Sequence, residues 1–232
     1  MTGKVALVTG ASSGIGKGIA VALAERGMQV VGCARRVEAI PQHANIQAYR
    51  VDLQHEDQIL EMWGQIRATH GGVDVLVNNA GVALDAPLTS GRTEDWRRML
   101  DVNVLALSIC TREAVIDMRK RGNDGQILHI SSMSAHRVPC WSGVYAASKF
   151  AVRALTEGLR KELRDEGSSI RVCSISPGSV DTPIHPDDYG NRDPKVRILE
   201  VEDIVSAALY VLAQPPRVDV HDILMRSVDQ KE

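Results

Sequence analysis

A tyrosine, a lysine and a serine in the second half of the chain have the residue types and spacing of a proton-transfer site. Tyr145 and Lys149 are four residues apart, so a helix would place the phenol and the ammonium group on one face. A free tyrosine titrates near ~10, and a fixed positive charge nearby lowers that pKa towards neutrality. Ser132 ends an apolar run, 126–132, and its hydroxyl could hold a substrate oxygen beside the tyrosine. The three residues predict acid–base catalysis, although Tyr-x-x-x-Lys alone also occurs on the surface of ordinary helices.

A glycine-rich turn follows the first predicted strand and opens the first predicted helix. Glycines permit a tight turn and let the backbone approach a pyrophosphate, which then meets the helix N-terminus. The Gly-x-x-x-Gly-x-Gly spacing differs from the Gly-x-Gly-x-x-Gly fingerprint, and the turn lacks the Gly-Lys-Ser/Thr ending of a nucleoside-triphosphatase loop. Its position favours dinucleotide binding over an ordinary strand–helix connection. The candidate binding residues of this turn, which begins at Thr9, are Gly10, Ser12, Ser13, Gly14, Ile15 and Gly16.

The segments that position these residues alternate between short apolar runs and amphipathic stretches. Repeated strand–helix alternation predicts right-handed crossovers and an α/β fold, a doubly wound parallel β-sheet of the Rossmann type flanked by helices. No linker or repeat divides the chain, which predicts one domain over residues 1–232. The predicted strands are 5–9, 29–34, 46–51, 73–77, 126–131, 169–175 and a short 223–225, and the predicted helices are 16–26, 56–70, 94–119, 143–165 and 201–212.

Composition and charge exclude several classes of function. A formal charge of −2, from 27 basic and 29 acidic residues, argues against nucleic-acid binding and against a polybasic membrane surface. The four cysteines are far apart and the histidines lack metal-ligand spacing, so no catalytic metal is expected. The N-terminus enters a strand at once and no long apolar span is present, which predicts a cytoplasmic protein.

The order of these motifs resembles the short-chain dehydrogenase/reductase family over nearly the whole chain. Residues 105–113 and 136–138 further resemble a subgroup of animal NADP-dependent carbonyl and ketosteroid reductases, whose insect relatives, the farnesol dehydrogenases, oxidise isoprenoid alcohols. The motifs that carry the resemblance are the turn 9–16, Asn-Asn-Ala-Gly at 78–81, Asn103, Ser132, Tyr145, Lys149 and Pro177-Gly178.

The resemblance implies an oxidoreductase that transfers a hydride between NADP(H) and a ketone, aldehyde or secondary alcohol. Tyr145 would be the general acid or base, Lys149 would lower its pKa and bind the nicotinamide ribose, and Ser132 would orient the substrate oxygen. Asn103 would kink the long helix and hold a water linked to Lys149. Without the other motifs, Asn103 could equally be a polar helix residue that faces solvent.

The end of the second predicted strand indicates which dinucleotide binds. An acidic residue there would accept hydrogen bonds from the ribose 2′-hydroxyl of NAD(H), whereas this chain has Arg35 and Arg36. Guanidinium groups bind phosphate well, which favours NADP(H) over NAD(H), the alternative being two ordinary surface charges. The resemblance adds further cofactor contacts: Asp52 and Leu53 at the adenine, Asn79, Ala80 and Gly81 beside its ribose, and Pro177, Gly178, Val180 and Thr182 at the nicotinamide.

Two connections are shorter than the family usually has. Only about ten residues, including Pro41, join Arg36 to the third predicted strand, so a full helix is not expected there. The loop after Thr182 is also short, so substrate contacts could come instead from residues between Ser132 and Tyr145, unless these simply pack the loop. The candidates are Met133, His136, Val138 and Trp141.

Competing functions remain at this point. A sugar-nucleotide epimerase or dehydratase shares Tyr-x-x-x-Lys but generally has a longer C-terminal substrate region and another glycine spacing. A dinucleotide sensor without turnover is the non-enzymatic alternative, and fold alone does not separate it from an enzyme. By resemblance, the predicted helices 94–119 and 143–165 would pair in a homodimer or homotetramer, and the other partner would be a small carbonyl or alcohol.

Overall fold

A computed structural model describes residues 1–139, 142–184 and 197–230 of the chain. Its strands and helices alternate as the hydrophobic pattern predicts. The strands are β1 Val5–Thr9, β2 Gln29–Ala34, β3 Ile46–Arg50, β4 Val75–Asn78, β5 Asp124–Ile130, β6 Ser169–Pro177 and β7 Asp222–Met225. The helices are α1 Gly14–Glu25, α2 Glu56–His70, α3 Thr93–Leu100, α4 Ala106–Lys120, α5 Gly143–Asp165 and α6 Val201–Leu212.

The seven strands of the described residues form one parallel sheet in the order β3-β2-β1-β4-β5-β6-β7. The chain therefore winds outward from β1 to β3, returns to β4 on the other side of β1, and winds outward again. In such sheets a crevice opens at the carboxyl ends of the two strands where the winding direction reverses, here β1 and β4. This topology confirms the predicted doubly wound Rossmann-type α/β fold.

Both faces of the sheet are covered because side chains alternate along each strand. On β1, Ala6 and Val8 pack against α1 and α6, whereas Val5 and Leu7 pack against α2, α4 and α5. These four residues are 6% exposed or less. With both faces buried, the carboxyl edge of the sheet remains as the place where polar side chains can gather.

A directed chain of buried hydrogen bonds ties the central strands to α4 and α5. Thr156 donates its hydroxyl hydrogen to the Val152 carbonyl (2.7 Å), so it must accept from Nδ1 of His129 (2.8 Å). Nε2 of His129 is then the acceptor for Thr111, which itself accepts from the amide of Asn78. Burial, followed by the charges of nearby basic side chains, lowers the pKa of His129 to about 3. The imidazole is thus a neutral structural link that fixes the helices around the site.

Two predicted connections differ from regular helices. The connection between β2 and β3 is a single 3₁₀ turn, Val37–Ala39, as its length and proline predict. The predicted helix 94–119 is interrupted in its middle, where a π-helical segment, Asp101–Leu105, separates α3 from α4. The interruption contains Asn103, where the family resemblance implies a kink. Its extra residue turns Asn103 inward, where it is 1% exposed.

An ion-pair network joins α2 to α4 on the side of the sheet away from the crevice edge. The guanidinium of Arg67 donates to Glu113 (2.7 Å) and to Asp117 (2.6 Å), whose side chains are 9% and 3% exposed. Burial alone raises the pKa of Glu113, but hydrogen bonds from Arg67 and Arg112 outweigh it and hold the pKa below its ordinary value. Arg67 therefore pairs with two nearly buried carboxylates at once, and together with Arg112 it keeps Glu113 ionised.

We expect Arg67→Met to lower the free energy of unfolding by about 3 kcal/mol at neutral pH, because it leaves two buried carboxylates without their shared cation. Arg112→Met, which removes a half-exposed partner, should cost less than about 1 kcal/mol. A carboxyl with a depressed folded-state pKa stabilises the protein above its unfolded pKa, 4.5, and loses that contribution as the pH falls. Urea unfolding should therefore show the gap between wild type and Arg67→Met narrowing below pH 4.5, and a constant gap would contradict this.

The cysteines, the possible metal ligands and the helices of the described residues were compared with what redox, metal and membrane sites require. Cys33, Cys110 and Cys173 are buried free thiols, and burial raises the pKa of Cys110 and Cys173 to about 12. No group of three or more acidic, cysteine or histidine side chains among the described residues could hold a metal ion. None of the helices within the described ranges is both long and apolar enough to cross a membrane.

Candidate active site

Helix α5 holds Tyr145 and Lys149 in its first two turns, on the face that approaches the carboxyl end of β5. The ammonium nitrogen of Lys149 is 5.8 Å from the centroid of the Tyr145 ring and donates to the carbonyl oxygen of Ile130 at 3.1 Å. Lys149 is 4% exposed, and this burial lowers its pKa to about 8. A buried cation therefore lies next to the phenol, as the four-residue spacing predicts.

Ser132 lies two residues after Ile130 and begins the turn that leads away from β5. Its backbone is extended, and its hydroxyl oxygen accepts from the amide of Ser134 at 3.1 Å. This contact uses the oxygen as an acceptor and so leaves the hydroxyl hydrogen for a second partner. The 3₁₀ turn Met133–Ala135 packs against α5. The end of β5 thus anchors both Ser132 and Lys149.

Asn103 joins three parts of the site through its side-chain amide. Its oxygen accepts from the amide of Val82 (2.8 Å), while its nitrogen donates to the Val82 carbonyl (2.9 Å) and to the hydroxyl of Ser148 (3.0 Å). Ser148, which is fully buried, donates in turn to the carbonyl of Tyr145 at 2.6 Å. The π-helical kink therefore holds the loop after β4 against the start of α5. Sequence reasoning missed Ser148, because only its tertiary contacts distinguish it from other small helix residues.

Gly81 lies between Asn103 and Lys149. A Cβ added at Gly81 would be 3.4 Å from the amide oxygen of Asn103 and 3.6 Å from the ammonium of Lys149. The backbone at Gly81 consequently passes directly beside the cation. Ala80 and Gly81 thus lie on the wall of the crevice, as their position after β4 predicts.

The glycine-rich turn after β1 is braced from the neighbouring strand. Thr9 accepts at its hydroxyl from the amides of Asn79 and Ala80, each at 3.0 Å, and the Asn79 side chain donates to the Thr9 carbonyl at 2.9 Å. Gly10 has a left-handed backbone with φ of +69°. A Cβ at Gly16 would lie 2.3 Å from the Asn79 amide nitrogen and 2.5 Å from the Gly10 carbonyl. Only glycine allows α1 to start this close to the end of β4.

The N-terminus of α1 fits an anionic group. Ser13 is extended and, within the described residues, does not cap the helix with its hydroxyl, and the first turn carries no acidic residue. Ser12 and Ser13 are half-buried, while Ile15 packs on the core and orients the turn. Helix amides, their dipole and serine hydroxyls together match a pyrophosphate. The residues of this turn therefore fit the phosphate portion of a dinucleotide.

We expect Gly16→Ala to weaken dinucleotide binding at least about tenfold and to lower stability by about 2 kcal/mol, because the new methyl group meets backbone and amide atoms that cannot move freely. Gly64→Ala is the matched control. Gly64 lies within α2, and its added Cβ would meet no described atom within 4 Å. That change should raise stability by about 0.5–1 kcal/mol. Thermal unfolding measures the change in stability, and fluorescence titration with NADPH measures the change in binding. A Gly16→Ala protein with wild-type stability and wild-type NADPH affinity would contradict the packing argument.

Arginines line the crevice at the carboxyl ends of β2 and β3. Arg35 and Arg36 are exposed immediately after β2. Arg50 is a third arginine that sequence reasoning missed: the parallel register sets it opposite Ala34, and its guanidinium donates to the Arg35 carbonyl (2.8 Å) and to Glu38 (3.2 Å). Arg50 therefore braces the turn that carries the other two. Its position at the end of a strand beside that turn is the signal that could have revealed it.

Asp52 and Leu53 follow β3 at the same edge. Burial raises the pKa of Asp52, but hydrogen bonds from Gln54 and the charge of Arg35 outweigh it and hold the pKa below its ordinary value. Its carboxylate oxygen accepts from the amide of Gln54 at 3.1 Å. Leu53 packs on the core formed with α2 and α4. The carboxylate of Asp52 therefore lies close enough to Arg35 for the two charges to interact.

The segment after β6 closes the crevice from the other side. Val180 is buried, and Thr182 approaches the glycine turn, because a Cβ at Gly14 would be 3.0 Å from the Thr182 methyl group. Pro177 ends β6 beside Met225 of β7. Of the predicted nicotinamide-side residues, Thr182 therefore lies beside the predicted phosphate-binding turn.

The predicted substrate residues separate into different environments. Met133 is half-buried in the turn after Ser132. His136 is directed to β6, where its Nε2 lies 3.2 Å from the hydroxyl of Ser176. Burial, followed by the charge of Arg153, lowers the pKa of His136, so the ring is neutral at physiological pH. These contacts favour loop packing for His136, while Trp141 lies outside the described residues.

Comparison with known proteins extends over nearly the whole chain. The family profile for short chain dehydrogenase matches residues 4–192. "Dehydrogenase/reductase SDR family member 11" of Gallus gallus is 48% identical over 249 aligned residues, covering 99% of this chain and 98% of that protein. Farnesol dehydrogenase of Aedes aegypti is 45% identical over 241 residues, with 99% and 98% covered. The solved structure of the closed form of serine dehydrogenase complexed with NADP+ is 30% identical, covers 98% of this chain and 96% of that chain, and superposes with a TM-score of 0.89.

Proposed function

Because the chain belongs to the short-chain dehydrogenase/reductase family, we propose that it is an NADP(H)-dependent oxidoreductase acting on a ketone, an aldehyde or a secondary alcohol. Family membership confirms the resemblance that the sequence motifs indicate. The observation that carries the proposal is the buried cation of Lys149, 5.8 Å from the Tyr145 ring and anchored to the strand that ends before Ser132.

The side chains divide the acid–base work as follows in the direction of reduction. Tyr145 donates its phenolic proton to the carbonyl oxygen, and the adjacent charge of Lys149 stabilises the phenolate that remains. Ser132 donates its hydroxyl hydrogen to the same oxygen and so fixes its position while negative charge develops there. Reduced nicotinamide, when bound, supplies the hydride to the carbonyl carbon. Oxidation of an alcohol reverses the proton transfer, with Tyr145 as the base.

The preference for NADP(H) rests on the arginines after β2. Arg35 and Arg36 offer two exposed guanidinium groups to a 2′-phosphate, and Arg50 holds the backbone that carries them. Guanidinium groups can bind a phosphate through two parallel hydrogen bonds, and this chemistry supports NADP(H) over NAD(H). The structural relative complexed with NADP+ adds support for the same cofactor.

Exposed apolar side chains near Tyr145 support a substrate with an apolar substituent. Leu88 is 71% exposed and packs against Gly143, two residues before the tyrosine, because a Cβ there would be 3.4 Å from the leucine. Val138, on the segment between Ser132 and Tyr145, is 64% exposed. Because one relative is named farnesol dehydrogenase, isoprenoid alcohols and aldehydes are suitable compounds to test first.

A substrate panel tests the proposal. Absorbance of reduced nicotinamide is followed with NADPH and dicarbonyls, ketosteroids, aliphatic ketones and isoprenoid aldehydes, and with NADP+ and the corresponding alcohols. Turnover with at least one class, faster with NADPH than with NADH, is the expected result. Tight NADPH binding without turnover across the panel would favour a sensor, and no binding would overturn the proposal.

We also propose that the protein forms a homodimer or homotetramer. Leu100 and Leu105 around the π-helical segment, and Phe150 and Leu155 on α5, are at least 40% exposed. Large apolar side chains exposed on two neighbouring helices are typical of an interface between copies. Light scattering of the purified protein checks this, and a monomer at micromolar concentration would contradict it.

A further inference from the structure

A short turn near the C-terminus, residues 227–230, packs against the segment that follows β6. The backbone amide of Gln230 donates to the Ser227 carbonyl (3.1 Å), and the backbone amide of Asp229 donates to the Ser227 hydroxyl (3.3 Å). Ser227 is 8% exposed, whereas Val228 at the tip is 85% exposed. The turn thus has a fixed inner side and a free outer side.

The inner side of this C-terminal turn fits closely against Gly178. A Cβ at Gly178 would lie 2.1 Å from the side-chain oxygen of Gln230 and 2.9 Å from Cβ of Arg226. The same Gln230 oxygen accepts from the amide of Ser179 at 3.0 Å. Glycine at 178 is therefore what allows an amide side chain to reach and fix the next backbone amide.

The C-terminal turn makes a second contact, which fixes the chain at Arg197. Both carboxylate oxygens of Asp229 accept from the guanidinium of Arg197, at 2.7 and 3.0 Å, and the Arg197 backbone amide donates to the same carboxylate at 3.0 Å. Two residues later, Leu199 pairs with Ser179 and Asp181 through backbone hydrogen bonds of 3.0 and 2.9 Å. Gln230 thus holds the backbone at Ser179, and its neighbour Asp229 holds Arg197, which precedes the segment paired with Ser179.

We propose that Gln230 and Asp229 are positioning residues, which clamp the backbone of residues 178–182 through Ser179 and Arg197 and thereby set the nicotinamide side of the crevice. The proposal rests on the proposed function for the role of that segment. The opposite side of the segment is already fixed, because Thr182 packs against the glycine turn at Gly14. The C-terminal turn supplies the remaining support, so its contacts determine how far the segment is from the cofactor.

Loss of the clamp should affect ground-state binding more than the chemical step. Residues 178–182 do not include Tyr145, Lys149 or Ser132, so the proton-transfer groups keep their own supports. A contact made equally in the ground state and the transition state changes KM and Kd while leaving kcat nearly constant. Removal of one hydrogen bond changes an equilibrium by about threefold to tenfold.

The test compares Gln230→Met, which fills the same space without an acceptor, with Gln230→Glu, which retains an acceptor oxygen. Val228→Ala in the same turn is the matched control. Hydrogen exchange at the Ser179 amide is measured in the protein without cofactor, and the Kd for NADPH is measured by fluorescence titration. In the Gln230→Met protein, we expect the Ser179 amide hydrogen to exchange at least about threefold faster. The Kd and the KM for NADPH should both rise by about threefold to tenfold. Gln230→Glu and Val228→Ala should stay near wild type.

Several outcomes would overturn the clamp. Unchanged exchange at Ser179 in Gln230→Met would show that Gln230 does not fix this amide, and equal damage from Gln230→Glu would show that its acceptor is not what matters. A fall in kcat at constant KM and Kd would place the effect on the chemical step. Wild-type protein that binds no NADPH would overturn the proposed function, whereas the exchange measurement without cofactor would still decide whether the clamp exists.

Discussion

Replacing Tyr145 with phenylalanine is expected to lower kcat by about 10²- to 10⁴-fold, the range that general acid–base catalysis supplies. The substitution removes only the phenolic oxygen, so the ring retains its packing and its position 5.8 Å from the Lys149 ammonium. NADPH binding should remain within about threefold of wild type, because the cofactor would retain the glycine turn and the arginines. Steady-state oxidation of NADPH with the best substrate of the panel, together with fluorescence titration, measures both quantities.

Tyr210→Phe is the matched control for this prediction. Tyr210 lies on α6, is 56% exposed, and loses the same oxygen atom far from the crevice edge of β5. Its kcat should equal that of wild type. A Tyr145→Phe enzyme with full activity would mean that another group, or solvent, protonates the substrate oxygen.

The parts of the site that depend on local spacing could be predicted from the sequence. Tyr145 and Lys149 share a helix face whatever the rest of the fold does, and the turn from Thr9 to Gly16 follows its strand directly. Buried parallel strands also give strong local signals, because both faces require apolar residues. The fold class and the family followed from these local patterns.

The family resemblance implies a kink at Asn103, but the π-helical form of that kink could not be predicted from the residues themselves, because its cause lies in tertiary contacts. The helical pattern of residues 94–119 is continuous, and Asn103 alone resembles a solvent-facing polar residue. Its side-chain amide instead forms three hydrogen bonds with Val82 and Ser148, which belong to a loop and to α5. Three buried hydrogen bonds outweigh the cost of one irregular turn.

The register of the sheet determined the other features that were missed. Arg50 becomes part of the arginine group only because the parallel pairing of β2 with β3 sets it opposite Ala34. Gln230 reaches Ser179, 51 positions earlier, only because β7 pairs beside β6. Single side chains with such distant partners carry no periodic signal, so sequence patterns favour motifs over the residues that support them.

The double substitution Arg35→Asp, Arg36→Ala is expected to raise the Kd for NADPH by about 10- to 100-fold while changing the Kd for NADH by less than about threefold. Each hydrogen bond to a charged group contributes about 1.5–3 kcal/mol, reduced here because both arginines are exposed to solvent. NADH lacks the 2′-phosphate, and an aspartate after β2 can accept from its ribose hydroxyl. Fluorescence titration with each cofactor gives the ratio of the two Kd values.

A substitution with the same change in net charge, Arg217→Asp with Arg92→Ala, separates local contact from the overall electrostatic field. Both residues are exposed, Arg217 beyond α6 and Arg92 before α3. Long-range attraction of an anion is screened within about 10 Å at 0.1 M salt. This control should therefore leave the ratio of the Kd for NADPH to the Kd for NADH near its wild-type value. Added salt should reduce the wild-type preference for NADPH, but only in part, because a bidentate guanidinium–phosphate contact retains its hydrogen bonds when its Coulombic attraction is screened. Equal weakening of NADPH and NADH by the double substitution would mean that Arg35 and Arg36 support the turn after β2 and that other residues bind the 2′-phosphate.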